Sequence, residues 1–386
     1  MSSPAAGGRP LRVAAVIDSL GVGGVETGCL ELLRSLDPRR FTPFLWAFRP
    51  GGLAAQVTAA GIPLTLGHDR PAEDPGWDAR DAAARDAWTA TLARELAAAR
   101  IDVVLVYGWP EAVTAAQAAG IRAIVERCDG PMLAGRVPDK SALTAVICES
   151  RHARDILRVQ RTRLGLDPRR CRVIRNGVDL ERFRRTPGDR SRARASLGLP
   201  DDAFVVGCVA RQAPEKNLAL LVAAFARLVE RTPDARSPLR LVLAGPDGGE
   251  RAALATAITT AGLGDRVLLL DAVGDPERIL AALDVFAFPS WIEGSPFAVL
   301  EAMAMGLPIV ATPVGALPEL LDDNAIVVDP LAPLATMRAL QLLHGDPGLR
   351  SAMGDRSREL ARHSSLRRMV AGYERVLEAA VRDATR

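Results

Sequence analysis

The stretch that decides the fold is Pro289–Leu307, which reads PSWIEGSPFAVLEAMAMGL. It follows Val285–Phe288, an apolar run with the composition of a buried strand. Ser295 is a favourable N-cap and Pro296 a favourable first helical residue, while Gly306 and the proline that follows Leu307 predict the end of the helix. The stretch therefore predicts a strand, a short loop and a helix, the repeating unit of a parallel α/β sheet.

The start of this predicted helix is a candidate anion site. The amides of Phe297, Ala298 and Val299 would lack acceptors inside the helix and would lie at the positive end of its dipole. Glu293 lies just before the helix and Glu301 lies within it, so hydroxyl groups could be held beside a phosphate. A nucleotide sugar carries both kinds of group. A helix cap with two solvated glutamates is the simpler alternative.

The composition narrows the class of protein. A chain of 386 residues with 48% hydrophobic residues suits two globular domains, and a formal charge of +3 does not indicate a nucleic-acid surface. The first residues lack the apolar core of a signal peptide, and no apolar run is long enough to span a membrane. Five cysteines without C-x-x-C spacing predict a reduced, cytoplasmic protein with no zinc site. The basic run 151–185 is interpreted as a solvated helix face and loop rather than a surface for phosphate or acidic lipid.

The order of elements predicts the domain organisation. Short β-rich runs alternate with amphipathic helices, which indicates parallel, doubly wound sheets. Residues 1–185 form the first predicted Rossmann-like domain, residues 186–365 form the second, and residues 366–386 form a helix that packs back toward the first. The Arg-rich run 179–200 is predicted to be a linker. Two such domains facing across a cleft would bind a ligand there, at the carboxyl ends of their strands.

The loop after the first strand contains Gly23 and Gly24, where the backbone could approach a ligand closely. It departs from the dinucleotide pattern G-x-G-x-x-G because Glu26 stands in place of the third glycine. The second strand also lacks the acidic end residue of such sites. The loop is therefore either a wall beside a phosphate or a tight turn without a ligand, and a dinucleotide site is disfavoured.

A second strand–helix loop carries two cationic side chains, Arg211 and Lys216. Together they would offer a guanidinium fork and a compact ammonium to a diphosphate. Lys216 is one of only two lysines in the chain, the other being Lys140. In a chain that otherwise uses arginine, a lysine at this loop suggests that a compact charge is needed there. An ordinary surface lysine is the alternative.

The pair Asn176-Gly177 lies in the segment Val173–Asp179, VIRNGVD. Asn-Gly is a turn signal, and a structural hinge is favoured here over contact with a ligand.

Several of these segments share one resemblance. Residues 23–26 (GGVE), 173–179 (VIRNGVD), 206–217 (VGCVARQAPEKN), 241–248 (LVLAGPDG) and 288–320 (FPSWIEGSPFAVLEAMAMGLPIVATPVGALPEL) resemble a retaining glycosyltransferase. More narrowly, the chain resembles family 4 of the GT-B fold, with its E-x7-E block. The resemblance covers nearly the whole chain. It implies an acceptor domain followed by a nucleotide-sugar donor domain.

The resemblance also implies roles for residues. Arg211 and Lys216 would neutralise the leaving nucleoside diphosphate, and Glu293 would contact the transferred sugar. Glu301 would hold the ribose hydroxyls. The complete set of implied donor-binding residues is Gly23, Gly24, Val273, Gly274, Gly294, Ser295, Phe297, Ala298, Val299 and Glu301.

One segment departs from the family pattern. Such enzymes often carry a histidine after the strand Ile121–Val125, but this chain reads VERCDG over residues 125–130. Tyr107, Arg127 and Asp129 are the candidate replacements near the acceptor. The departure puts the usual sugar, the usual acceptor or full activity in question. The alternative function is a nucleotide-sugar-binding protein, or a pseudo-glycosyltransferase, without ordinary transfer activity.

The expected reaction follows from these groups. No second carboxylate is placed opposite the sugar, as a pair of glycosidase acids would require. Front-face attack by a small-molecule, glycan or lipid-linked acceptor on a UDP- or GDP-linked sugar therefore fits retention. No Asp-x-Asp motif lies in a suitable loop, so neither a metal nor another cofactor is expected. Peripheral membrane contact has no support in the sequence.

Overall fold

The computed structural model describes residues 9–67, 82–128, 139–233, 238–272 and 274–386. The chain divides into two compact units. Unit 1 comprises Met1–Arg175 together with Arg367–Arg386, and unit 2 comprises Asn176–Leu366. Unit 1 is thus built from two separate segments of the chain, whereas unit 2 is continuous.

Unit 1 is a parallel sheet covered by helices. Its strands in the described part are β1 (Leu11–Ser19), β2 (Phe41–Arg49), β3 (Leu64–Leu66), β4 (Val103–Val106), β5 (Ile124–Cys128), β6 (Ala145–Cys148) and β7 (Cys171–Val173). The helices between them are α1 (Gly24–Ser35), α2 (Ala54–Ala59), α3 (Ala82–Ala98), α4 (Pro110–Ala118) and α5 (Arg151–Val159). The strand order is β3-β2-β1-β4-β5-β6-β7, so the sheet grows outward from β1 and β4 in opposite directions. All four residues of β4 are fully buried, which is why this strand is an uninterrupted apolar run.

Unit 2 repeats this architecture. Its strands in the described part are β8 (Phe204–Val209), β9 (Leu239–Ala244), β10 (Val267–Leu270), β11 (Val285–Phe288), β12 (Ile309–Ala311) and β13 (Ala325–Val327). Its helices are α6 (Asp189–Ser196), α7 (Leu218–Arg231), α8 (Arg251–Thr260), α9 (Pro276–Ala282), α10 (Phe297–Ala304), α11 (Leu317–Leu320), α12 (Pro333–Gly345) and α13 (Pro347–Ala361). The order β10-β9-β8-β11-β12-β13 places a switch point between β8 and β11. Loops at the carboxyl ends of strands beside such a point are where ligands bind in open parallel sheets.

The predicted fold class, two Rossmann-like parallel sheets, is confirmed. The prediction of a linker over residues 179–200 is wrong, because α6 forms there and is part of unit 2. Arg194 in α6 is fully buried. Its Nη2 lies 2.7 Å from Asp284 Oδ2, and its Nε donates to the Ala282 carbonyl at 3.0 Å. The arginine-rich run that predicted a solvated linker therefore contains a buried arginine that packs within unit 2.

The boundary between the units also differs from the predicted one after residue 185. The division falls after Arg175 because the next residues pair with the end of unit 2. Val178 donates to the Ser364 carbonyl at 2.9 Å, and Leu366 donates to the Val178 carbonyl at 2.8 Å.

The last helix, α14 (Leu366–Ala384), supplies the second segment of unit 1. Arg40 Nη1 lies 2.6 Å from Glu374 Oε2, and Asp37 N donates to Glu374 Oε1 at 2.9 Å. Tyr373 is 1% exposed. These contacts fix the helix to the loop before β2.

Among the described residues, no helix has the length and apolar character needed to cross a membrane.

Candidate functional site

The loop after β11 leads into α10 and differs from the prediction at the helix start. Pro296 has an extended backbone, with φ −69° and ψ 120°, so α10 begins at Phe297. The prediction that Ser295 caps the helix is wrong, because its Oγ is buried and meets no hydrogen-bond partner among the described residues. The amides of Phe297, Ala298 and Val299 remain those without acceptors inside the helix.

Glu293, on the loop that leads into α10, forms an ion pair with Lys216. Lys216 Nζ lies 2.7 Å from Glu293 Oε1, and the two side chains are 19% and 8% exposed. Two residues that are 77 positions apart in sequence are thus brought together at the carboxyl edge of the sheet. The mostly buried carboxylate is neutralised, while the ammonium stays partly accessible to a ligand.

Backbone contacts fix the relative position of the loops that carry this pair. Trp291 N donates to the Glu215 carbonyl at 2.8 Å, so the loops after β8 and β11 are joined directly. Asn217 adopts a left-handed backbone with φ 52°, and its Nδ2 donates to the Pro289 carbonyl at 3.2 Å and to the Pro330 carbonyl at 3.0 Å. Lys216 therefore lies on a loop that is held on both sides.

Arg211 lies on the same loop but has a different partner. Its side chain is 57% exposed and pairs with Glu215, four residues further along. Gln212 beside it is fully buried, and its Nε2 donates to the carbonyls of Gly245 and Leu270 at 2.8 and 2.7 Å. Gln212 was missed by sequence analysis, and its only signal was its position between two cationic residues.

Glu301 lies one turn inside α10 and is partly buried. Burial raises its pKa to about 7; Arg182 opposes this shift and Glu277 adds to it. Arg182 Nη2 and Glu277 Oε2 are 2.9 Å apart. This ion pair near Glu301 was also missed, because its members belong to separate parts of the sequence.

The last implied donor residues of unit 2 are Gly294, Val273 and Gly274. The carbonyl of Gly294 accepts from Ala316 N at 2.7 Å. Gly274 is exposed in the loop between β10 and α9, and a Cβ built there would meet no atom within 4 Å. Val273 lies outside the described residues.

In unit 1, Gly23 and Gly24 lie at the start of α1. Gly23 is the N-cap residue, and a Cβ built on it would lie 2.4 Å from Glu26 Oε2. That atom is the end of a flexible side chain, which could move aside, so the contact does not by itself require glycine at this position.

Two of the acceptor candidates lie together at the carboxyl ends of β4 and β5. The guanidinium carbon of Arg127 is 5.4 Å from the centre of the Tyr107 ring. The two residues are 2% and 5% exposed, and burial raises the pKa of Tyr107 well above its ordinary value. The third candidate, Asp129, lies outside the described residues.

The second lysine of the chain repeats the pattern of the first. Lys140 pairs with Glu126 of β5, and both side chains are fully buried. Both lysines are therefore partners of buried glutamates. Nowhere in the described ranges do three or more histidine, cysteine, aspartate or glutamate side chains gather in a group that could hold a metal ion.

Comparison with known families accounts for both parts of the chain. Residues 203–346 match a family described as glycosyl transferases group 1. Residues 22–182 match a family described as glycosyltransferase family 4. Together the two matches take in well over half of the chain. The chain belongs to the group 1, family 4 glycosyltransferases. The predicted family is confirmed.

Relatives of known sequence match part of the chain. The D-inositol 3-phosphate glycosyltransferase of Salinispora arenicola (strain CNS-205) is 35% identical over 231 residues, which are 57% of this chain and 52% of that protein. A protein of the same name from Actinosynnema mirum is 39% identical over 198 residues, or 48% of this chain and 46% of that protein. The chain thus spans about half the length of these relatives.

Solved structures share the fold over nearly the whole chain. Anabaena HepE in complex with UDP and glucose gives a TM-score of 0.80 at 20% identity, covering 95% of this chain and 99% of that one. WaaG, a glycosyltransferase involved in lipopolysaccharide biosynthesis, gives 0.76 at 15% identity, covering 95% and 99%. These likenesses establish the GT-B fold.

Proposed function

We propose that the protein is a retaining glycosyltransferase that moves a sugar from a nucleoside diphosphate to an acceptor hydroxyl. The observation that carries the proposal is the ion pair between Lys216 and Glu293, whose glutamate lies on the loop that leads into α10. The pair provides a cation for a leaving phosphate and a carboxylate for the sugar. The first amides of α10 provide further donors for the phosphate.

In the proposed reaction, one bond to the anomeric carbon breaks and another forms. The bond between the anomeric carbon and the diphosphate oxygen breaks, and negative charge develops on that oxygen. The Lys216 ammonium and the α10 amides stabilise this charge, an electrostatic effect that is large in a water-poor site. The acceptor oxygen then bonds to the anomeric carbon on the same face, and its proton passes to the departing phosphate.

The similar proteins indicate which donors and acceptors to assay first. UDP is the nucleotide we propose to test first, with GDP second, because Anabaena HepE binds UDP. The names of the relatives make an inositol phosphate the first acceptor to assay, followed by glycan and lipid-linked acceptors. We also propose a reducing, cytoplasmic setting, supported by five cysteines that are all buried and form no disulfide in the part of the chain that the structure describes: Cys29, Cys128, Cys148, Cys171 and Cys208.

The second candidate is a nucleotide-sugar-binding protein without transfer activity. It is favoured by the segment that lacks the family's usual histidine. There Arg127 is buried against Tyr107, so neither side chain is exposed to receive an acceptor.

Release of nucleoside diphosphate distinguishes the two functions. Purified protein is incubated with UDP- and GDP-linked sugars, with and without each acceptor, and the released nucleotide is quantified by chromatography. Acceptor-dependent release that is lost in Glu293→Gln, with the product anomer matching the donor, supports the enzyme. An inverted product contradicts retention. Saturable binding of a donor without release, with or without acceptor, supports the binding protein.

A further inference from the structure

Asn176 is the first residue of unit 2, at a position where the sequence indicated only a turn. The residue is 3% exposed, and its Nδ2 donates to the main-chain carbonyl of Ser295 at 2.7 Å. The two residues are 119 positions apart. A buried hydrogen bond thus connects the beginning of unit 2 to the loop that opens α10.

Three consecutive residues of this loop are each held by a group from a different segment. Lys216 Nζ contacts the Glu293 carboxylate at 2.7 Å, and Ala316 N donates to the Gly294 carbonyl at 2.7 Å. The Asn176 amide holds the third, the Ser295 carbonyl. Since Ser295 is followed by a proline with no N–H, the direction of this carbonyl sets how the chain enters the helix.

The backbone that carries Asn176 is itself fixed. A Cβ built on Gly177 would lie 2.7 Å from the Ser365 carbonyl oxygen and 2.7 Å from Leu366 Cα, so this close approach requires glycine. Val178 exchanges backbone hydrogen bonds with Ser364 and Leu366. The Asn176 side chain therefore extends from an anchored segment, and its amide is aimed rather than free to turn away.

We propose that Asn176 is a positioning residue for the anion site. Its amide holds the Ser295–Pro296 peptide so that the first amides of α10 stay directed at the departing phosphate. The ligand in this inference rests on the proposed function, but the effect on the loop does not depend on any ligand.

The first experiment measures the loop in the ligand-free protein. Amide hydrogen exchange is followed in peptides covering Leu300–Ala302, whose amides bond within α10. The variants are Asn176→Ala and, as a matched control, Asn324→Ala. Asn324 is also fully buried in unit 2, and its Nδ2 donates to Ser357 Oγ at 3.1 Å.

We expect exchange in this part of α10 to be about tenfold faster in Asn176→Ala than in Asn324→Ala, because only the former leaves the Ser295 carbonyl without its donor. Exchange that rises equally in both variants would mean a general loss of stability and would overturn the inference. Unchanged exchange in Asn176→Ala would overturn it as well.

The second experiment titrates UDP and GDP into the same proteins by calorimetry. Asn176→Ala should bind the nucleotide recognised by the wild type about tenfold more weakly, and Asn324→Ala should bind it normally. Asn176→Asp should bind weakly at pH 8 and recover relative to wild type near pH 5, since a protonated carboxyl can again donate to Ser295. Equal affinity of wild type and Asn176→Ala would overturn the positioning role.

The two proposals fail in different ways. If the wild-type protein binds neither UDP nor GDP, the proposal that its donor is a UDP- or GDP-linked sugar is wrong. In that case the exchange comparison alone supports or overturns the role of Asn176 in the loop.

Discussion

Replacing Lys216 by alanine tests the site most directly. The change removes the ammonium that lies 2.7 Å from the Glu293 carboxylate, whose side chain is only 8% exposed. Charge on the leaving oxygen grows as the glycosidic bond breaks, so the lysine should stabilise the transition state more than the bound donor. We expect kcat to fall about 10²–10³-fold, with a smaller change in the donor KM.

The structure also predicts a cost in stability. A solvated loop lysine would shift the free energy of unfolding by less than about 1 kcal/mol. Because Lys216 is only 19% exposed and its loss leaves a mostly buried carboxylate unpaired, we expect about 1–3 kcal/mol instead. The double variant Lys216→Ala/Glu293→Gln should recover part of this loss, since the buried charge is removed with its partner.

The assay is steady-state release of nucleoside diphosphate at a temperature where circular dichroism shows each variant to be folded. Lys216→Arg should restore activity only in part, because a planar fork does not replace a compact ammonium. Arg356→Ala is the control: it removes an unrelated cation from unit 2, one that pairs with Asp322 and Glu359, and should leave kcat unchanged. Wild-type turnover in folded Lys216→Ala, or activity lost only through unfolding, would refute the reasoning.

Three further predictions follow from the described contacts. The raised pKa of Glu301, about 7, disfavours its ionised form in the folded protein, so its burial costs nothing below the unfolded pKa and most above pH 7. The free energy of unfolding of Glu301→Gln, measured by thermal unfolding, should therefore equal that of the wild type near pH 4.5 and exceed it by about 2–3 kcal/mol at pH 8. A difference that does not depend on pH would contradict this. Replacing Arg194 by methionine should cost about 3 kcal/mol or more in urea unfolding, because Asp284 and four main-chain carbonyls lose their donor. A loss under about 1 kcal/mol would show that water takes the place of the guanidinium. Activity should survive excess EDTA, and restoration by Mg²⁺ or Mn²⁺ after a loss would mean that the leaving group depends on a metal.

Much of the sheet could be predicted because buried parallel strands leave a local signature. The strand Val285–Phe288 has the bounds of the apolar run that predicts it, and Ala145–Cys148 has the same kind of composition. Each is a short, continuous apolar run whose four residues are all buried, because both faces of such a strand are covered. Local composition alone is therefore sufficient to place them.

Contacts between distant residues could not be predicted in this way. Arg194 and Asp284 are 90 positions apart, and nothing near Arg194 in the sequence distinguishes a buried arginine from a solvated one. The spacing of Glu293 and Glu301 indicates a candidate site at the start of α10 but not the partner of either glutamate. Lys216 and Glu293 can pair because β8 and β11, the strands before their loops, are neighbours in the sheet. Neither loop alone reveals that order of strands.

The helix start shows a limit of a different kind. Ser295 followed by Pro296 is a strong capping signal. In the structure Pro296 is extended, and the Ser295 carbonyl is used by Asn176 instead. The conformation at the helix start thus coincides with a hydrogen bond from a remote segment, which the local sequence does not reveal.

The division of unit 1 into two chain segments has a consequence for synthesis. Unit 2 is complete in sequence once Leu366 has been made, whereas unit 1 still lacks Arg367–Arg386. Until that last segment leaves the ribosome, Arg40 has neither Glu374 nor Glu378 to pair with. Unit 1 therefore cannot be completed until unit 2 has been synthesised. A nascent or truncated chain ending at Leu366 should hold a folded unit 2 together with an incomplete unit 1.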